Sequence, residues 1–159
     1  MKKILENYLN GLLNPQSPSY VSFYVNNICQ LRCDMCFYWD SMQKKTIQLN
    51  LDEIKKLSLS LPNILQLSFT GGEPTLRKDL VDVVTTFCQT SKVAKSSIIT
   101  NGFITARVID YATEILRKNP STSFRFCVSI DGQEEVHDTV RGVKNSYKNA
   151  IITVKELKQ

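Results

Sequence analysis

Four short segments alternate apolar and polar side chains with the two-residue period of a β-strand, and a helical repeat follows each of them. They are YVSFYVN at 20–26, LQLSFT at 65–70, SSIIT at 96–100 and FRFCVSI at 124–130. Among the helices, Leu80, Val83, Val84, Phe87 and Cys88 recur on one face, as do Tyr147, Ala150, Ile151, Val154 and Leu157. A helix from Leu51 opens on Asn50 with Glu53 placed for a capping box and Ile54, Leu57 and Leu61 inward. Another, near Ala106, points Val108, Ala112 and Ile115 inward. Strand then helix, four times over, restricts the chain to an α/β fold with a parallel sheet joined by right-handed crossovers.

The alternation restricts it further. Parallel strands covered on both faces read as continuous apolar runs. Here Val21, Phe23, Val25, Leu67, Phe69, Phe124, Phe126, Val128 and Ile130 point one way, and Ser22, Tyr24, Gln66, Ser68, Arg125, Cys127, Ser129 and Asp131 the other. A polar face that is not packed with aliphatic layers implies a curved, open partial (β/α) barrel of about four βα units, with a concave face fit for a polar ligand. Each strand ends in polar or glycine residues: Asn26-Asn27, Thr70-Gly71-Gly72-Glu73-Pro74, Thr100-Asn101-Gly102 and Ser129-Ile130-Asp131-Gly132. That is the edge where parallel α/β folds place their chemistry.

The chain of 159 residues has room for one core, with residues 1–19 read as a helix and loop ahead of a domain at 20–159. No apolar run approaches the ~20 residues needed to span a bilayer, and MKKILENYLN carries charge within its apolar stretch, so the expectation is a cytoplasmic protein without a membrane partner. Its net charge of +5 is spread along the chain and indicates no nucleic-acid partner. Five cysteines in such a chain point away from a disulfide framework and toward metal or redox chemistry.

Three of the five, Cys29, Cys33 and Cys36, fall in NNICQLRCDMCFYW directly after the first strand segment, spaced CxxxCxxC. Soft thiolates suit zinc or an iron–sulfur cluster. Structural zinc wants a fourth ligand, which His137, Cys88 or Cys127 would have to supply. On a cubane cluster, three thiolates leave one iron open to another ligand. Cys88 lies on an apolar helical stripe and reads as a core residue, Cys127 as a neutral interior thiol.

With Met35 between the last two cysteines, this pattern resembles the hallmark CxxxCxΦC of the radical S-adenosylmethionine (radical SAM) superfamily. The resemblance continues through GGEP at 71–74, TNG at 100–102, SIDG at 129–132 and EEVHDTVRG at 134–142, and covers about residues 20–159. The last segment is similar to that of the branch whose members carry SPASM or twitch extensions. The resemblance implies a 4Fe-4S cluster on Cys29, Cys33 and Cys36, with the amino and carboxylate groups of S-adenosyl-L-methionine (SAM) on the open iron. Gly71 and Gly72 would then let backbone approach the ligand, and Glu73 would meet its ammonium. Ser129 and Asp131 would meet the ribose, Arg141 the carboxylate and the backbone around Tyr38 the adenine, with Asn101 facing the reacting centre.

The activity so implied is reductive cleavage of SAM to a 5'-deoxyadenosyl radical that abstracts hydrogen from a peptide or small-molecule substrate. A flavodoxin or ferredoxin-type reductant would supply the electron. A core of this type has six βα units, so the expectation is an incomplete core, with the fourth strand left as an edge. A noncatalytic iron–sulfur or zinc module, or an inactive fragment, is the alternative.

Overall fold

The structure, a computed structural model, describes residues 2–13, 18–42, 44 and 47–158. The order of elements is α1 (Lys2–Leu13), β1 (Tyr20–Tyr24), α2 (Leu51–Leu59), β2 (Gln66–Thr70), α3 (Leu80–Thr90), β3 (Lys95–Thr100), α4 (Thr105–Lys118), β4 (Ser123–Val128), α5 (Glu134–Arg141) and α6 (Ser146–Glu156). Short 3-10 turns occupy Trp39–Ser41 and Pro74–Leu76. The four strands form one open, parallel sheet in the order β1-β2-β3-β4, each beside its sequence neighbour. That order winds the chain in a single direction, as in a barrel wall, rather than doubling back from a central strand.

The apolar face of the sheet meets the helices. Leu67, Phe69 and Ile98 are buried there with Ile54, Leu80, Val83, Val84, Phe87 and Ile115, and Phe23, Phe124 and Phe126 close the layer. Phe23, Phe69 and Phe87 pack as a trio with ring centroids 5.0 to 6.3 Å apart. Fully burying one such ring stabilises the fold by about 1.5–3 kcal/mol. On the opposite face the register aligns Ser22 with Ser68, Ser68 with Ser97 and Ser97 with Arg125. The Tyr20 hydroxyl lies 3.1 Å from Ser68 Oγ, and the Ser68 and Ser97 hydroxyls are 2.7 Å apart. Asn7 of α1 donates to the Ile64 and Lys92 carbonyls, both at 2.9 Å, and so ties α1 to residues just ahead of β2 and β3. Among the described residues no helix is long and apolar enough to cross a membrane.

The structure departs from the sequence reading at several element ends. β1 stops at Tyr24 because Asn26 leaves the ladder to hold the β2 turn: its carbonyl accepts from Gly72 N at 3.1 Å and its Nδ2 donates to the Glu73 carbonyl at 2.9 Å. α3 begins at Leu80, the first residue of its expected stripe, with a separate 3-10 turn from Pro74 ahead of it. EEVHDTVR forms a helix of its own, α5. In α6 only Ala150 of the expected apolar stripe is fully buried, with Tyr147, Ile151, Val154 and Leu157 half-buried, and Ser146 and Thr153 are buried beside it, Thr153 Oγ1 donating to the Gly102 carbonyl at 2.7 Å. Gly11 to Leu13 close α1, whereas residues 14–17 of the expected loop lie outside the described residues. The capping box of α2 is present in both directions, Glu53 N to Asn50 Oδ1 at 3.0 Å and Asn50 N to Glu53 Oε2 at 2.8 Å.

Candidate metal and ligand site

The cysteine loop is clamped from two sides. At one, Glu73 N donates to the Ile28 carbonyl at 2.7 Å, and Gly72 lies so close that a Cβ there would meet Ile28 O at 2.2 Å. At the other, Arg32 N and Asp34 N donate to the Arg141 and Val140 carbonyls at the end of α5, at 3.0 and 2.9 Å. Gly142 permits this second contact by ending α5 in the left-handed conformation, φ 65°, against Arg32 O. Leu31 and Met42, with Tyr38, Phe103 and Val143, form a small apolar cluster around the cysteines that no sequence period announced.

Cys29, Cys33 and Cys36 line one cavity of about 120 Å³ together with Gly71, Gly72, Glu73, Thr100, Asn101, Ser129 and Arg141. Burial pushes the Cys29 and Cys33 thiols above their ordinary range, an effect the Arg141 guanidinium only partly offsets at Cys33. Both therefore hold their protons at neutral pH until a metal displaces them. Zinc would require every ligand within about 2.3 Å of one point. A four-iron cluster asks instead that each thiolate reach a different iron, and the three soft donors around a common cavity fit that demand.

Around the cavity Glu73 is 1% exposed. Its Oε1 accepts from Thr75 N, Thr75 Oγ1 and Thr100 Oγ1 at 3.1, 2.7 and 2.7 Å, and its Oε2 from Asn101 N at 2.8 Å. Among the described residues no lysine or arginine pairs with it. Thr75 and Thr100, which the sequence reading passed over, thus hold a buried carboxylate between the ends of β2 and β3. Arg77 was passed over too: it is 6% exposed, donates to the Val25 and Leu49 carbonyls at 2.8 and 2.7 Å, and pairs with Asp79. The Arg-Asp pair two residues apart, next to GGEP, is the signal that would have found it.

Asp131 and Tyr38 stand outside the cavity lining. Asp131 is paired with Arg141, at 2.5 Å to Nε and 3.0 Å to Nη2, and Arg141 Nη1 lies 3.7 Å from Cys33 Sγ. Tyr38 packs its ring 5.7 Å from that of Tyr24. Cys88 is a core residue whose thiol burial pushes up to about 11, and Cys127 is half-buried on the concave face.

His137, the single histidine, is fully buried. Its Nδ1 accepts from Asp131 N at 3.3 Å, and its Nε2 has no hydrogen-bond partner among the described residues. Burial, with help from the positive charge of Arg141, holds its pKa below the ordinary 6.5. Below about pH 6.5 the unfolded chain therefore gains a proton that the folded chain refuses. Stability falls as the pH drops from there to the folded pKa, by at most about 1.4 kcal/mol per pH unit. Urea midpoints measured from pH 7 to 5 should show this slope, and His137→Gln should flatten it; an equal slope in the variant would reassign it to the carboxylates.

The sequence matches the radical SAM superfamily over residues 23–159. The chain is 29% identical over 140 residues to the GTP 3',8-cyclase of Haemophilus ducreyi, covering 82% of this chain and 41% of that protein. To the GTP 3',8-cyclase of Vibrio vulnificus it is 27% identical over 146 residues, 86% of this chain and 44% of that one. It thus spans about two-fifths of the length of these curated relatives. The fold is similar to that of Streptococcus suis SuiB bound to precursor peptide SuiA, with a TM-score of 0.69 and 19% identity over 94% of this chain and 33% of SuiB. BtrN in complex with AdoMet and 2-DOIA gives a TM-score of 0.54 and 23% identity, covering 77% of this chain and 51% of BtrN. With the match running from the middle of β1 to the last residue, the chain belongs to the radical SAM superfamily.

Proposed function

We propose that this chain holds a 4Fe-4S cluster on Cys29, Cys33 and Cys36 and binds SAM beside it, as the core of an enzyme that abstracts hydrogen from its substrate. One observation carries the reading: the three cysteines share their cavity with glycine backbone and with Glu73, a buried carboxylate with which no lysine or arginine among the described residues pairs. A closed metal module has no use for such a carboxylate, whereas the ammonium of an amino-acid headgroup supplies its missing counter-charge. When bound, the cluster and SAM supply one electron and a 5'-deoxyadenosyl radical. Gly71 and Gly72, packed against the Asn26 and Ile28 backbone, present bare backbone to the headgroup at the cavity wall, Ser129 offers a hydroxyl to the ribose, and Arg141 turns a guanidinium N–H toward the cluster side. Asp131, beside the cavity, holds Arg141 in place through their ion pair and offers its carboxylate to the ribose.

The substrate belongs on the concave face. That polar face, with Ser68, Ser97 and Arg125 in register below the cavity, suits a peptide or a small polar molecule. A flavodoxin or ferredoxin-type reductant in the cytoplasm fits the net positive charge. Anaerobic reconstitution with iron and sulfide, followed by dithionite and SAM, tests the proposal. The expected result is broad visible absorption and 5'-deoxyadenosine. Preferential zinc uptake with no nucleoside product would overturn it in favour of a noncatalytic module.

A further inference from the structure

The Asn101 carboxamide, 7% exposed, is held in one orientation. Its Oδ1 accepts from Phe103 N at 2.9 Å and from Gln30 Nε2 at 3.2 Å, and its backbone N–H is fixed on Glu73 Oε2 at 2.8 Å. The opposite end of the amide, Nδ2, faces Cys29 Sγ at 3.7 Å. Flipping the amide would set its NH2 against the Phe103 N–H, so that backbone bond settles the assignment. Leu31 N adds a second donor to the same sulfur at 3.5 Å.

We infer that Asn101 is a positioning residue that sets the reduction potential of the cluster through the Cys29 sulfur; the inference rests on the cluster proposed above. An amide N–H on a cysteine thiolate draws electron density from the iron–sulfur bond. It stabilises the cluster after it gains one electron from an external reductant more than before, and so raises the potential. The asparagine at the end of β3 thereby acts on the sulfur, while the glycines and Glu73 face the ligand.

The test is an EPR-monitored redox titration of the reconstituted chain without substrate. Asn101→Asp keeps an oxygen for Phe103 N and Gln30 but loses the donor to sulfur; Asn101→Leu loses both. Asn101→Ser, too short to reach Cys29, is titrated alongside so that a midpoint is read even where a larger change strips the cluster. At the wild-type midpoint the ratio of reduced to oxidised cluster should fall about tenfold in Asn101→Leu, equal to a shift of about 59 mV for one electron, and further in Asn101→Asp. An unchanged midpoint with a lowered unfolding temperature would overturn the inference and leave Asn101 as a loop brace. Loss of the cluster from all three variants would do the same. Failure of the unmutated chain to take up iron would instead overturn the function proposed for the site.

Discussion

Cys29→Ala should lower iron after anaerobic reconstitution from about four atoms per chain to background and abolish 5'-deoxyadenosine formation. Cys29 is the most enclosed of the three thiols, 8% exposed and inside the small cluster of Leu31 and Met42. With it gone, the pair Cys33 and Cys36 cannot hold a cubane that already lacks a fourth protein ligand. Folding should survive, because the main core of Phe69, Phe87 and their neighbours lies on the opposite face of the sheet. Cys88→Ala makes the reciprocal case: it removes a buried sulfur from that core and should cost on the order of 1 kcal/mol without changing the iron content. Iron and sulfide assays beside thermal melts on both variants check the pair. Equal iron loss in the two would mean that the cysteine loop has no special claim on the metal.

How much of this was legible in the sequence depends on the range of the interaction. The strand period at Leu67 and Phe69 and the stripe of Leu80, Val83, Val84 and Phe87 were read correctly, since local backbone geometry and one-sided burial leave their trace within a few residues. The Asn50 and Glu53 capping box is of the same kind. What escaped are the bonds between strand ends. Thr75 and Thr100 on Glu73, Gln30 on Asn101 and the α5 carbonyls on the cysteine loop join residues 2 to about 110 positions apart, and nothing in the local pattern marks them. Asp131 shows the limit from the other side. Its place on the polar face was predictable, but its pairing with Arg141 depends on α5, a helix whose amphipathic stretch was not read as one. His137 and Asp138 divide in the same way: the first is buried beneath the Asp131 turn, and the second accepts from Asn145 N, Ser146 Oγ and Tyr147 N at the start of α6.

The two glycines of GGEP are where fold and site meet most tightly, and Gly72→Ala should be among the most damaging single changes. A Cβ at residue 72 would lie 2.2 Å from Ile28 O, 2.5 Å from Ile28 C and 2.9 Å from Ile28 N. These are backbone atoms of the cysteine loop, one residue before Cys29, so no side-chain rotation relieves the clash. The loop must move away from the end of β2, and the bond from Glu73 N to Ile28 O, 2.7 Å long, stretches or breaks. Overpacking of this kind costs about 1–3 kcal/mol and sometimes more. For a chain of this size each kcal/mol lowers the melting temperature by roughly 2–4 °C. Gly11→Ala is the control. There the added Cβ would approach Ser19 Oγ, the end of a side chain able to rotate, and Ala within α1 is favoured over Gly by about 0.5–1 kcal/mol. The expected outcome is a lower melting temperature and loss of iron for Gly72→Ala, against an unchanged or higher melting temperature and full iron for Gly11→Ala. Full iron retention in Gly72→Ala would show that the cysteine loop sets its own shape without the β2 turn, and the clamp described here would then be a consequence of the loop rather than its cause.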